Sequence, residues 1–200
     1  MSDRDTILQK IRGALEPLPE RTAYPEWDDQ ITVCKGAGVG DPVEQFQARF
    51  EAAKGILFPS VETLRAYMDA EGYTRGFVQS DLMELLAGSF NGLDLTSEVE
   101  RACVDDYAFG ISRASGGIAE SGTLILRDAD CPYRLGALAP WFHVAVLRKS
   151  DICPTIAEAI ANLGTDPSII FVTGPSKTAD IEGILIQGVH GPGIQGVLLV

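Results

Sequence analysis

Four short apolar runs in the second half of the chain restrict its fold more than any other feature. They are Thr123–Arg127 (TLILR), Phe142–Leu147 (FHVAVL), Ser168–Val172 (SIIFV) and Val197–Val200 (VLLV). Each is nearly continuous rather than alternating, the pattern of strands covered on both faces. Between the second and third runs lies CPTIAEAIANLG, which reads as a helix. Pro154 starts it, Ile156 and Ile160 share one face, and Gly164 ends it. Buried strands interleaved with helical segments imply a layered α/β domain.

The first half supports the same class with weaker signals. Asp41, Pro42 and Glu44 give a capping-box pattern ahead of a helix that carries Val43, Phe46 and Phe50 on one face and stops at Gly55. Ser60 opens another helix, with Leu64, Tyr67 and Met68 inward and Gly72 as its stop. ITVC (residues 31–34) and GFVQ (76–79) read as strands, and SDLMELLAG (80–88) as a short helix. At the N-terminus, Ile7, Leu8, Ile11 and Leu15 make one amphipathic helix that Pro17 and Pro19 terminate. Residues 16–30 read as a linker. The expected organisation is an N-terminal helical appendage over residues 1–30 and one α/β domain over 31–200. The stretch RDADCPYRLGALAP (127–140) is long for a connection between strands. It reads equally as a lid and as a disordered connection.

Charge and cysteine usage exclude several functions. The formal net charge of −12 repels phosphate backbones and anionic membranes, so nucleic-acid binding and membrane adsorption are disfavoured. The four cysteines are scattered without a C-x-x-C pair, and the two histidines, His143 and His190, are far apart. A metal or iron–sulfur site built from this chain alone is not expected. The first residues lack an apolar core of a secretory signal, and no run is long enough to span a bilayer, so a cytoplasmic location is expected.

Two nucleotide-binding motifs fail on inspection. In GAGVGD the third glycine of a dinucleotide fingerprint would fall on Asp41, whose carboxylate opposes a pyrophosphate. GPSKT ends like a P-loop, but Ser176 rather than glycine precedes Lys177.

Three polar clusters remain. Glu120, Ser121, Gly122 and Thr123 form a turn feeding the TLILR strand; the turn is either structural or open to a ligand at Gly122. TGPSKTADIEG (173–183) has the order strand, loop, helix. Ser176 or Thr178 would cap the helix, with Asp180 and Glu182 in its first turns favouring the dipole. The rival reading is an anion cradle of backbone N–H groups with Lys177 adding charge. His190 sits among glycines in GVHGPG, just before the terminal strand; His143, inside an apolar run, reads as core or strand end.

The ordered motifs IAESGT, GPSKTADIE and GVHGP resemble the LUD-domain family, in its lactate utilisation protein C (LutC/YkgG) branch. The likeness spans the chain but is specific only from about Asp106 onward. It implies a fold similar to the NagB/RpiA/CoA-transferase group: a central, mostly parallel sheet flanked by helices. It also implies a subunit of a system oxidising L-lactate to pyruvate with LutA-like and LutB-like iron–sulfur partners. No cofactor is expected on this chain, the clusters residing in those partners; a homo-oligomer stays open. The family motifs map onto Glu120, Ser121, Gly122 and Thr123; onto Gly174, Pro175, Ser176, Thr178, Asp180 and Glu182; and onto His190 and Gly191. We take Glu120, Glu182 and His190 as candidate proton-handling residues. A small carboxylate or phosphate-bearing ligand would be held by Ser121, Gly122, Thr123, Gly174, Ser176, Lys177, Thr178, Asp180 and Gly191. Two rivals stand beside this reading. One is a stand-alone CoA-transferase-like or cyclo-ligase-like enzyme with Glu120 as nucleophile. The other is a non-catalytic structural or regulatory subunit docking through the N-terminal helix. Gly193 stands where relatives often carry a basic residue.

Overall fold

The computed structural model describes residues 2–16, 40–166, 168–179 and 184–200. The chain divides into two units, Met1–Val33 and Cys34–Val200. In the first unit, α1 (Asp3–Leu15) is capped by Ser2, whose hydroxyl accepts from the Asp5 N–H while Asp5 reciprocates. None of its residues is buried. The expected ITVC strand and the linker from residue 17 onward lie outside the described residues.

The second unit follows in chain order. It opens with α2 (Pro42–Ala52), β1 (Ile56–Phe58), α3 (Val61–Glu71), β2 (Arg75–Val78), α4 (Met83–Leu86) and β3 (Asp94–Thr96). Then come β4 (Phe109–Arg113), β5 (Gly116–Ile118), β6 (Thr123–Arg127), α5 (Arg134–Leu138), β7 (Phe142–Leu147) and β8 (Ile152–Cys153). The last elements are α6 (Ile156–Asn162), β9 (Ile169–Val172), β10 (Lys177–Thr178), β11 (Ile186–Gln187) and β12 (Ile194–Leu199).

Six strands form a sheet in the order β1-β12-β7-β4-β2-β3, and every neighbouring pair is parallel. The parallel core matches the expectation, and β7, the FHVAVL run, is buried along its whole length. α3 and α4 cover one face, where Leu64, Met68 and Leu86 pack with Phe109, Ile111, Phe142 and Val144. On the other face Phe46 and Phe50 of α2 pack with Ala145, Leu147 and Val197.

That second face also carries a sheet the sequence did not announce. Its order is β8-β5-β6-β9, with β6 antiparallel to both β5 and β9. TLILR and SIIFV are therefore antiparallel neighbours outside the parallel sheet. Leu124 and Leu126 of β6 close over α2, which explains an apolar run in an antiparallel strand. The chain leaves β2 for the edge strand β3, then returns to β4 on the other side of β2. Strand order thus reverses at β2, the place where open α/β sheets leave a crevice at their carboxyl ends.

Local signals mostly act where the sequence put them, with small displacements. Asp41 caps α2 by accepting from the Val43 N–H, but Glu44 makes no reciprocal bond. Lys54, not Gly55, takes the left-handed conformation after α2 (φ 73°). Gly55 is needed instead because a Cβ there would sit 2.3 Å from the Phe50 ring. α3 has the Ser60 cap, the buried Leu64 and Met68, and the left-handed Gly72 expected of it. In α6 the cap is Thr155 rather than Pro154. Ile156 and Ile160 are exposed, while Ala159 is the buried residue and packs with Ile118 and Ile125 of the second sheet.

Residues 127–140 are an ordered connection. Arg127 pairs with Asp130 at 2.6 Å, Arg134 pairs with Asp128, and α5 forms inside the segment.

Candidate functional site

The first motif sits on the β5–β6 turn. Gly122 has φ 64°, and its N–H donates to the Ile118 carbonyl at 2.9 Å. A Cβ at Gly122 would fall 2.3 Å from the Phe50 nitrogen, so this glycine lets the turn lie against the backbone of α2. The helix takes the space that a side chain would need there. The Ser121 hydroxyl bonds Thr123 Oγ1 at 2.7 Å, and Thr123 Oγ1 bonds the Thr173 hydroxyl at 2.7 Å. Glu120 turns the other way, and its Oε2 accepts from the Ile156 N–H at the start of α6 at 3.0 Å.

The three-hydroxyl chain has a simple chemical consequence. Three O–H groups supply three protons, and the two bonds between them use two. One proton is left to donate outside the chain. Thr123 is buried, whereas Thr173 at one end is exposed. When both bonds run towards Thr173, the surplus proton lies at that exposed end, where solvent or a solute can accept it.

The second motif departs from the helical expectation. Lys177–Thr178 is a strand paired antiparallel with Ile186–Gln187. Ser176 and Thr178 thus cap no helix at this point, and the dipole argument lapses. The reason is in the backbone: the Ser176 N–H donates to the Pro192 carbonyl at 2.9 Å, and its carbonyl accepts from the Gly188 N–H at 2.9 Å. Both main-chain groups of Ser176 are committed to the third motif, so its N–H is not free to hold an anion. Asp180 and Glu182 lie outside the described residues.

Gly174 has φ 75°, and a Cβ there would meet the Ala53 carbonyl oxygen at 2.3 Å. Lys177 Nζ donates to that same carbonyl at 3.1 Å. Ala53 ends α2, so the lysine neutralises the negative pole of that helix. Its ammonium keeps two further N–H donors.

The third motif closes the group. Gly191 packs beside Ser176, where a Cβ would lie 3.4 Å from the Ser176 Cβ. His190 is exposed next to it. A Cβ on Gly193 would stand 2.4 Å from the Trp141 indole. The ring of Trp141 occupies the space that a side chain at this position would need.

The three motifs are thus linked in sequence order through Thr123–Thr173 and Ser176–Pro192, around the carboxyl end of α2. Ser121, Thr123, Lys177 and His190 offer side-chain polar groups there, and Gly122, Gly174 and Gly191 permit the close packing. Glu120 is engaged with α6. Thr173 was missed by sequence reasoning because its contact depends on register: Leu124 pairs with Val172 across β6 and β9, which brings the next residues, Thr123 and Thr173, face to face.

A second polar group, also missed, lies inside the parallel sheet. His143 Nδ1 is 3.0 Å from Gln195 Oε1, and its Nε2 is 2.8 Å from the Ser112 hydroxyl. Gln195 Nε2 donates to the carbonyls of Gly196 and His143, which leaves its Oε1 as acceptor. Nδ1 must then carry the proton, and Ser112 donates to Nε2. Burial holds the His143 pKa down to about 4, so the ring is neutral near pH 7. Ser112, His143 and Gln195 are all buried, and no atom of the row reaches solvent-facing chemistry. Nearby Cys131 is buried too, and its thiol pKa is pushed up by that burial, which keeps it inert. Among the described residues no cluster of His, Cys, Asp or Glu is arranged to hold a metal ion. Among them, too, no helix is long and apolar enough to cross a membrane.

An α/β chain with these three joined motifs belongs to the LUD-domain family, whose family profile matches residues 90–200 and so includes all of them. Over its full length the chain is 40% identical to "Lactate utilization protein C" of Bacillus subtilis (strain 168), in an alignment of 238 residues that covers 97% of that protein. It is 37% identical over 117 residues to "Uncharacterized protein YkgG" of Escherichia coli (strain K12), covering 54% of this chain and 48% of that one. The family and branch read from the motifs are those found. In fold it resembles the crystal structure of a DUF162 family protein from Deinococcus radiodurans, with a TM-score of 0.60 and 22% identity over 80% of this chain and 96% of that one.

Proposed function

We propose that this chain is the cluster-free subunit of a system that oxidises L-lactate to pyruvate. The observation that carries the reading is the end-to-end similarity to a lactate utilization protein C. Oxidising a 2-hydroxy acid to a 2-oxo acid releases two electrons and two protons. In this reading LutA-like and LutB-like iron–sulfur partners take up the electrons. The motif surface supports a role in holding the small carboxylate. The surplus hydroxyl proton of the Ser121–Thr123–Thr173 chain and the remaining N–H groups of Lys177 suit an anion, and exposed His190 suits proton transfer. Glu120 also serves α6 through its Oε2.

Deleting the gene abolishes growth on L-lactate and spares growth on glucose. Normal lactate growth of the deletion strain overturns the proposal. A plasmid copy carrying Thr173→Val restores far less lactate growth than the wild-type copy.

The exposed apolar side chains of α1 favour a second, compatible role. Ile7, Ile11 and Leu15 are about half exposed, at 58%, 49% and 45%. They suit docking of an iron–sulfur partner. Removing residues 1–16 then abolishes co-purification of the partners while the thermal transition of the remaining unit persists; retained co-purification overturns this role.

A further inference from the structure

We propose a second ligand site, apart from the three motifs, that takes a small anion carrying an apolar, flat body. It is a depression of about 780 Å3 between the segment after β3 and the 128–135 connection. That size falls within the usual range of small-molecule pockets. Val99 and Arg101 line it from one side, Tyr133, Arg134 and Leu135 from the other, and Ser168 at the entry to β9. None of these belongs to a motif of the family signature.

Its lining is richer in cations than the chain as a whole. The chain carries 28 acidic and 16 basic residues, yet two guanidinium groups meet here with one carboxylate, Asp128. Asp128 is paired with Arg134 through one guanidinium nitrogen. An arginine has five N–H donors, so most of those of Arg134 stay available. Arg101 is exposed and makes no ion pair among the described residues. Of the other acids of this wall, Asp130 is paired with Arg127, while Asp166 keeps its charge and accepts from the N–H groups of Ala129 and Ser168. The site's selectivity for an anion rests on its two arginine forks, whose geometry matches a carboxylate or phosphate.

The apolar half is equally specific. Tyr133 and Leu135 are 41% and 39% exposed. Tyr133 does not swing freely, because its ring packs edge-on against Phe77 with centroids 5.9 Å apart. The wall itself is preformed. Gln79 Nε2 donates to the Asp130 carbonyl at 2.7 Å, the Cys131 N–H donates to the Arg127 carbonyl at 2.8 Å, and the Asp128 N–H donates to the Ser168 carbonyl at 3.3 Å. Gln79 stands just past the carboxyl end of β2, and its Oε1 accepts from the Arg113 N–H at the end of β4. The depression is therefore anchored to the point where strand order reverses, the position that open α/β sheets offer to ligands. A rigid aromatic, an aliphatic neighbour and one cation on a fixed wall, with Arg101 facing them, bind with little ordering cost.

The test titrates the full chain with phenyl phosphate, benzoate, inorganic phosphate and benzyl alcohol by calorimetry. Phenyl phosphate or benzoate binds, and their order tells whether phosphate or carboxylate is preferred; inorganic phosphate and benzyl alcohol bind at least about tenfold more weakly than the better of the two. Arg101→Gln, which breaks no ion pair, weakens that binding about tenfold or more. Tyr133→Ala weakens phenyl phosphate and leaves inorganic phosphate unaffected. The proposal is overturned if neither aromatic anion binds at millimolar concentration, or if Arg101→Gln binds as the wild type does. It is also overturned if Ser121→Ala, in the motif cluster, is the variant that loses binding. None of these outcomes bears on the lactate-growth test, so the two readings fail separately.

Discussion

Two hydrogen-bonded groups of three side chains each lie on the two sheets and end in opposite states. In the parallel sheet, Ser112, His143 and Gln195 cross three adjacent strands, and each polar atom has a partner inside the row or on the backbone. In the second sheet, Ser121, Thr123 and Thr173 form a chain of bonds with one proton left over and one end exposed. The serine and histidine of the interior row look more like catalytic chemistry than the open cluster does. A closed network in a dry interior has nothing left to give a ligand; its role is to fix strand register, because a shifted strand would leave its members unpaired. The open cluster is chemically plainer and retains an unspent donor.

Gly122→Ala tests the comparison hardest, since Gly122 sits in the open cluster but packs like an interior residue. The substitution places a Cβ 2.3 Å from the Phe50 nitrogen and forces a positive φ on alanine. Strain and overpacking together cost about 4 kcal/mol. Urea unfolding measures it. A loss below about 1 kcal/mol would show that the turn can lift from α2, leaving room for a ligand at Gly122.

Acid exposes the interior row next. His143 titrates near 6.5 when unfolded and about 4 when folded. Between those values the unfolded chain holds the extra proton, so the folded state loses stability as pH falls from 6.5 towards 4, by about 3 kcal/mol in all. Above 6.5 this contribution is fully present, and below 4 it does not change further. His143→Gln removes that part of the acid sensitivity, though it lowers stability at pH 7. If wild type and variant show parallel pH–stability curves from 7 to 4, the row is not closed to protons.

Thr123→Val acts at the middle of the open chain. Valine keeps the shape and removes both bonds, leaving Ser121 and Thr173 to find water. The expected loss is about 1 kcal/mol. The same valine at Thr173, at the exposed end, costs less stability and more lactate growth. Equal effects of the two on both readouts would make the chain merely structural.

The difference between these groups also marks what the sequence made legible. The parallel core was readable because FHVAVL and the terminal strand are apolar on both faces, and the caps at Asp41 and Ser60 because their signals are local. The motif residues stood out by type. Their partners did not: Thr173 meets Thr123 only through the register of β6 and β9, and Ser176 loses its N–H to Pro192, sixteen residues on. The helix expected after GPSKT failed for that reason, since a distant loop claimed the groups a cap would use. The second sheet was hidden because an apolar run covered on both faces reads alike in parallel and antiparallel pairing. The interior row was invisible because one histidine in an apolar strand gives no hint that a serine and a glutamine lie beside it.

The smallest effect on stability decides the most about the open cluster. Lys177 donates to the carboxyl end of α2, and that alone accounts for a lysine there. Replacing it with methionine keeps the aliphatic stem and removes the charge, at about 0.5 kcal/mol on an exposed helix terminus. A lysine that only serves the helix would lose that and nothing else. If its spare N–H groups also hold the lactate carboxylate, Lys177→Met abolishes growth on lactate while the unfolding midpoint hardly moves, and Lys177→Arg restores part of it because the positive charge returns. Full lactate growth of the methionine variant removes Lys177 from the site and leaves the anion to the hydroxyl chain alone. Stability therefore has to be measured beside growth, because only their separation distinguishes a ligand contact from a helix cap.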